Sequence, residues 1–187
     1  MNFSKVNIQD LQLDHSIEVD PSTGRATSVV AVPLPDGRNG LTPTLSLSYS
    51  SSSRNSALGI GWNLNGLPFV SVDTTKGLPQ YDGKDKYTFN GTSILEPQRI
   101  KDGSVWKPRV DETADFYIHY YRLKIEASFT RFEKWVRKSD GQIHWRTRSK
   151  DNVLSIYGHD SSGITKIFDP KKSHKVFTWL LEVQYDN

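Results

Sequence analysis

Residues 129–169 read FTRFEKWVRKSDGQIHWRTRSKDNVLSIYGHDSSGITKIFD. Three polar clusters, SDGQ (139–142), KDN (150–152) and HDSSG (159–163), cut the stretch into four runs. Asp, Asn, Ser and Gly favour turns because they bond to nearby backbone or tolerate positive φ. The runs between them, FTRFEKWV, QIHWRTRS, NVLSIYG and ITKIFD, are rich in β-branched and aromatic residues. Strand, tight polar turn and strand at intervals of about ten residues predict an antiparallel meander.

The same pattern extends upstream. In DFYIHYYRLKIEA, Phe116, Ile118 and Tyr120 are in phase, then Tyr121, Leu123 and Ile125. The phase slips by one between 120 and 121, and a β-bulge is the simplest cause. KYTF and TSIL flank Asn90-Gly91, a strong hairpin signal. FVSVDTT (69–75) and VWKPRV (105–110) read as extended. In TPTLSLSYS, Leu45, Leu47 and Tyr49 face one way, and Thr44, Ser46, Ser48 and Ser50 the other. GIGWNL follows as a second strand, and Gly59 and Gly61 leave one face bare for a bend or close approach beneath Trp62. Leu11, Leu13, His15, Ile17 and Val19 alternate with polar residues as a half-buried strand.

Downstream, Lys171 to His174 form a connection, and VFTWLLEVQYDN alternates Phe177, Trp179, Leu181, Val183 and Tyr185 up to Asn187. KVFTWLLEVQ also has a helical reading. The spacing predicts exposed apolar edge positions around Phe177–Tyr185, and hence self-association. The expected fold class is all-β: antiparallel strands in a curved meander sheet, with little or no helix. The 187 residues are expected to form one β domain, with a sub-boundary near 96–112.

Composition agrees. Hydrophobic residues make up 35% and aromatic residues 11%, which suits sheets with one wet face better than a compact globule. Net charge is +3, and the basic excess lies in the second half. Interspersed charge of this kind reads as solvated surface rather than a nucleic-acid footprint. There is no cysteine, which excludes disulfides, thiolate catalysis and cysteine-ligated zinc. MNFSKVNIQD has no apolar core of a secretory leader, and no apolar run reaches the ~18 residues of a membrane span.

No motif points to a reaction. GIG (59–61) lacks the third glycine and the helix of a dinucleotide fingerprint. The five histidines show no metal spacing, although His119 and His144 lie in strands that can meet across a sheet. YDGKDKY (81–87) resembles a calcium loop only loosely, because Lys84 and Lys86 interrupt it, and reads as a polar turn. The carboxylate pairs Asp111/Glu112 and Glu126/Glu133 are not placed in a cleft by sequence, and no GxSxG occurs. Asn2-Phe3-Ser4 and Asn90-Gly91-Thr92 fit glycosylation sequons, which carry no meaning without a secretory route. No cofactor or metal is expected. Trp135, Arg137, Trp145, Arg146 and Arg148 interleave aromatic rings with cations. They would stack on bases or sugars, or pair with each other across strands and need no ligand. The second account is the simpler, and Trp135, Trp145, Arg146 and Arg148 remain an alternative interaction face.

TGRATSVVAVPLPDGRNGLTPTLSLSYSSSSRNSALGIGWNLNGLP (23–68) resembles the opening signature of the SpvB and Tc-toxin B-subunit family. Its structural signature residues here are Gly40, Leu41, Pro43, Tyr49, Gly59, Gly61 and Trp62. YDGKDKYTFNGTSILEP (81–97) is similar to the next block of that family, and HWRTRSKDNVLSIYG to the toxin-complex branch. The resemblance implies part of an RHS/YD-repeat β-shell: a non-catalytic wall that encloses a cytotoxic enzyme. It implies as partners a Tc C-subunit-like RHS protein and the remainder of the B subunit, with the A subunit reached through a propeller outside these residues. It implies synthesis in the bacterial cytoplasm and an extracellular destination. The family's propeller, autoprotease and toxic enzyme have no counterpart here, and no Glu-x-Glu of its ADP-ribosyltransferases is present, so the resemblance implies the first part of a B subunit, or a short homologue or fragment. The alternative is a glycan- or host-surface-binding β module.

Overall fold

The computed structural model describes residues 17–37, 41–56, 58–126 and 128–186. The described elements are all strands. The strand expected over 11–19 lies largely outside the described residues, as does Gly40. The chain divides into two compact units, the first ending at Leu67 and the second beginning at Pro68. The stretch 96–112 lies inside the second unit.

The first unit holds β1 (Glu18–Val19), β2 (Ala26–Val32), β3 (Leu45–Ser50), β4 (Asn55–Ser56), β5 (Gly59–Ile60) and β6 (Trp62–Asn65). The sheet order is β1-β2-β3-β6, antiparallel throughout, with β4 and β5 as a separate hairpin. Register sorts the hydroxyls as alternation requires. Leu47 lies between Val30 and Leu64, whereas Ser48 lies between Val29 and Asn63. The Asn65 amide donates to Ser48 Oγ at 2.8 Å along the polar face. Gly61 has φ +82°, and a Cβ there would meet Tyr49 Cε2 at 2.5 Å and the Ser50 carbonyl at 2.9 Å. The ring over this glycine is therefore that of Tyr49, not of Trp62. Trp62 packs against Tyr49 with centroids 5.3 Å apart. Covering a strand glycine with a cross-strand aromatic is a known way to restore the packing it lacks.

The second unit contains β7 (Phe69–Val72), β8 (Tyr87–Phe89), β9 (Ser93–Pro97), β10 (Arg99–Asp102), β11 (Val105–Pro108), β12 (Val110–Glu112), β13 (Phe116–Leu123), β14 (Arg131–Arg137), β15 (Ile143–Arg148), β16 (Leu154–Tyr157), β17 (Lys166–Asp169) and β18 (Lys172–Tyr185). Eight of these close on themselves in the order β13-β14-β15-β16-β18-β7-β8-β9, because β9 returns to pair with β13. The result is a closed antiparallel barrel, flanked by β12 and β17 and by the β10–β11 hairpin. Closure removes open edges, which an isolated curved sheet would keep.

Alternation fills the barrel. Val70, Val72, Tyr87, Leu95, Tyr121, Leu123, Phe132, Trp145, Tyr157 and Trp179 form one buried cluster. Its rings meet mostly edge to face: Tyr87 lies 5.0 Å from Trp145 and 5.9 Å from Trp179, and Phe89 lies 5.1 Å from Phe132. Edge-to-face geometry suits ring quadrupoles and adds to the area buried. The Trp179 indole donates to the Ile143 carbonyl at 2.9 Å. At the Asn90-Gly91 turn both residues have positive φ, 52° and 72°, as that hairpin signal requires.

Three expectations are corrected. The β13–β14 register runs unbroken from Phe116↔Arg137 to Tyr121↔Phe132, so there is no bulge at 120/121. The apparent slip arises because both faces of β13 are apolar: Ile118 packs outside the barrel while Tyr121 and Leu123 face its core. KVFTWLLEVQ is strand, as its alternation reads and not as the helical alternative has it, and β18 already begins at Lys172 within the expected connection. Nor is β18 an open edge. It lies between β16 and β7 in the barrel, with Thr178 and Trp179 also paired to β17, so it is not the unpaired edge expected, although Phe177 and Tyr185 are exposed.

Candidate functional site

The proposed interaction face divides between the two sides of the barrel wall. In the β14–β15 register Trp135 opposes His144, whereas Trp145 opposes Lys134. Trp145 is thus turned inward and fully buried at 0% exposure, and its indole N–H has no hydrogen-bond partner in the structure. Trp135, Arg146 and Arg148 lie on the outer side. The Arg146 guanidinium covers the Trp135 ring at 3.8 Å, and the Trp135 N–H donates to Glu133 at 3.0 Å. Arg148 donates to Asn152 Oδ1 at 2.6 Å. Arg146 and Trp135 therefore carry the cross-strand cation–aromatic pairing, and the ring face a sugar would need is already occupied.

His144 anchors this outer cluster. Its ring packs against Phe116, Trp135 and His159 at centroid distances of 5.6, 5.7 and 4.8 Å. Its Nε2 accepts from Arg146 Nε at 3.2 Å, which requires the neutral imidazole. Burial, then the charges of Arg146 and His159, push its pKa down to about 3. His119 has the same strand parity as Tyr121 and lines the inside, so the two histidines do not converge. Among the described residues no group of three or more His, Asp or Glu side chains has metal-binding proximity.

The carboxylates serve local structure. Asp111 accepts from the Tyr120 hydroxyl at 2.8 Å, and Glu112 pairs with Lys138 at 2.6 Å. Glu126 accepts the N–H groups of Ser128 and Phe129. In the 81–87 turn, Asp85 accepts the N–H groups of Gln80 and Tyr81 at 3.0 and 2.6 Å. Of the signature residues, Leu41 lies against Gly37, where a Cβ would meet the Leu41 carbonyl oxygen at 2.6 Å. Pro43 precedes β3, and Tyr49, Gly61 and Trp62 form the packed group described above.

The barrel interior holds a feature that strand patterning does not announce. A cavity of 870 Å³ opens into it, lined by Lys134, His119, Tyr87, Asp85, Val72 and Trp179 among others. Lys134 is only 7% exposed. Its ammonium lies 4.9 Å from the Tyr87 ring centroid and 5.7 Å from that of Tyr121, and donates to the Tyr87 hydroxyl at 3.5 Å. Burial lowers its pKa to about 8, opposed by the charge of Asp85. The signal for this residue was its position between Phe132 and Val136, on the apolar phase of β14.

The family model described as Salmonella virulence plasmid 65kDa B protein (SpvB) matches residues 20–187. Mono(ADP-ribosyl)transferase SpvB of Salmonella choleraesuis (strain SC-B67) is 27% identical over 161 residues, covering 82% of this chain and 27% of that protein. The Salmonella typhimurium protein of the same name matches at the same identity and coverage. The chain thus spans about a quarter of the length of these relatives. Among solved structures, the N-terminal domain of effector protein SpvB from Salmonella typhimurium strain LT2 aligns with TM-score 0.68 and 25% identity, over 83% of this chain and 50% of that one. TcdB2-TccC3 aligns with TM-score 0.71 and 26% identity, over 92% of this chain and 8% of that one. The Photorhabdus luminescens Tc holotoxin pore aligns with TM-score 0.70 and 26% identity, with the same coverage of both chains.

Proposed function

This chain belongs to the SpvB family, and from that premise we propose that it is a non-catalytic structural domain of a bacterial toxin protein. In this reading its strands form part of a β-shell wall that encapsulates a cytotoxic enzyme. The observation that carries it is the likeness of nearly the whole chain to a small part of TcdB2-TccC3. The relatives named as transferases extend well beyond the matched segment, and the solved SpvB structure is of an N-terminal domain, which supports a separate location for their chemistry. The engagement of Asp111, Glu112, Glu126 and Asp85 in local bonds supports the same reading.

The partners that follow are a C-subunit-like RHS protein and the rest of a B subunit, with an A subunit reached through a propeller outside this chain. The site of action is extracellular, after synthesis in the bacterial cytoplasm. No helix among the described residues is long and apolar enough to cross a membrane. The glycan-binding alternative is weaker, because Arg146 already covers Trp135. The test is co-expression of the full-length protein bearing this segment with a C-type partner. The two should co-elute, and the enclosed enzyme should resist added protease. Separate elution of two intact, folded chains would overturn the reading.

A further inference from the structure

The barrel core contains a buried ammonium that no described carboxylate contacts directly. Lys134 lines the cavity, and no described carboxylate forms an ion pair with it. Asp85 and Asp140 also line the cavity, but Asp85 is held by two backbone N–H groups and Asp140 pairs with Arg137. A buried ammonium that meets two ring faces and one long hydrogen bond is under-solvated, and burying a charge is costly unless it is paired. Such an arrangement in a cavity of ligand size, whose walls combine an apolar part (Val72, Ile143, Val176) with polar groups (Gln142, Ser173, His174), has the form of a small-molecule site.

We propose that the barrel cavity binds a small amphipathic monocarboxylate, its carboxylate on Lys134 Nζ and its apolar body against Val72, Tyr87 and Trp179. The walls decide the chemistry. Tyr87 and Trp179, both nearly buried, border the cavity, and Ile143 and Val176 extend the apolar lining. A charge-assisted bond to a carboxylate supplies what the long Tyr87 contact does not. The site is independent of the shell reading, since it rests on the interior of the second unit alone.

The test uses this chain with indole-3-acetate as probe and indole-3-acetamide as its uncharged counterpart, measured by titration calorimetry. The acetate should bind at least roughly ten-fold more tightly than the amide, which lacks the charge-assisted bond. Lys134→Met should abolish acetate binding while raising the thermal midpoint, because it removes a buried charge and keeps the volume. Loss of binding through misfolding would lower that midpoint instead. The probe comparison is made on the unmodified chain, so it decides the matter whatever the variant does. Equal binding of the two probes, no binding of either at millimolar concentration, or undiminished acetate binding by the variant would overturn the proposal.

Discussion

His144 gives the barrel a pH dependence that can be calculated and removed. The imidazole is 3% exposed, and its pKa falls from 6.5 to about 3 in the folded protein. Between those values the unfolded chain binds a proton that the folded chain does not. Stability is therefore fully present above pH 6.5 and declines as pH falls towards 3, by ~1.4 kcal/mol per pH unit. From pH 6.5 to 4.5 the loss is about 2–3 kcal/mol, before most carboxylates titrate. His119 shifts in the same direction through burial, but it is present in both proteins to be compared and cancels. Urea unfolding followed by Trp fluorescence, at several pH values across this window, measures the slope. His144→Gln should lower stability at pH 7.5, since it loses contacts with Phe116, Trp135 and His159, yet show a much shallower decline on acidification. Equal slopes for the two proteins would refute the claim that this imidazole is held neutral.

Trp145→Ala should destabilise the barrel by about 3–5 kcal/mol, because it empties the centre of the ring cluster, and thermal unfolding would show it. Trp135→Ala should cost less than Trp145→Ala in the same measurement, since Trp135 lies on the outer side. Gly59→Ala should cost ~1 kcal/mol for its φ of +104° alone, as nothing lies within 4 Å of an added Cβ. Gly61→Ala should cost roughly 2–4 kcal/mol, adding overlap with Tyr49 and the Ser50 carbonyl to its own positive φ; Gly59→Ala as the more damaging of the two would contradict the packing described for Tyr49.

Period-two alternation and turn chemistry made the strands legible. The runs 131–137, 143–148 and 154–157 fall where SDGQ, KDN and HDSSG place their ends, and Asn90-Gly91 marks its hairpin. Closure was not legible. It depends on Leu95↔Leu123 and Trp179↔Val70, pairings between distant segments, and alternation carries no information about which strand is the neighbour. The same blindness made β18 look like an edge. The sidedness of the two tryptophans was available in principle. Trp145 shares its phase with Ile143 and Thr147, Trp135 with Glu133 and Arg137, and an even-length loop between paired strands puts them on opposite faces. Lys134 went unnoticed because a lysine in a strand is ordinarily solvated, and only barrel closure turns its position inward.

The most direct test of the shell account is the structure, by electron cryomicroscopy, of the full-length protein assembled with its C-type partner. The account predicts that these strands lie in the wall of a closed shell with the partner's enzyme inside it. A barrel standing clear of any enclosure, with its outer Trp135 side seated on a glycan, would contradict it.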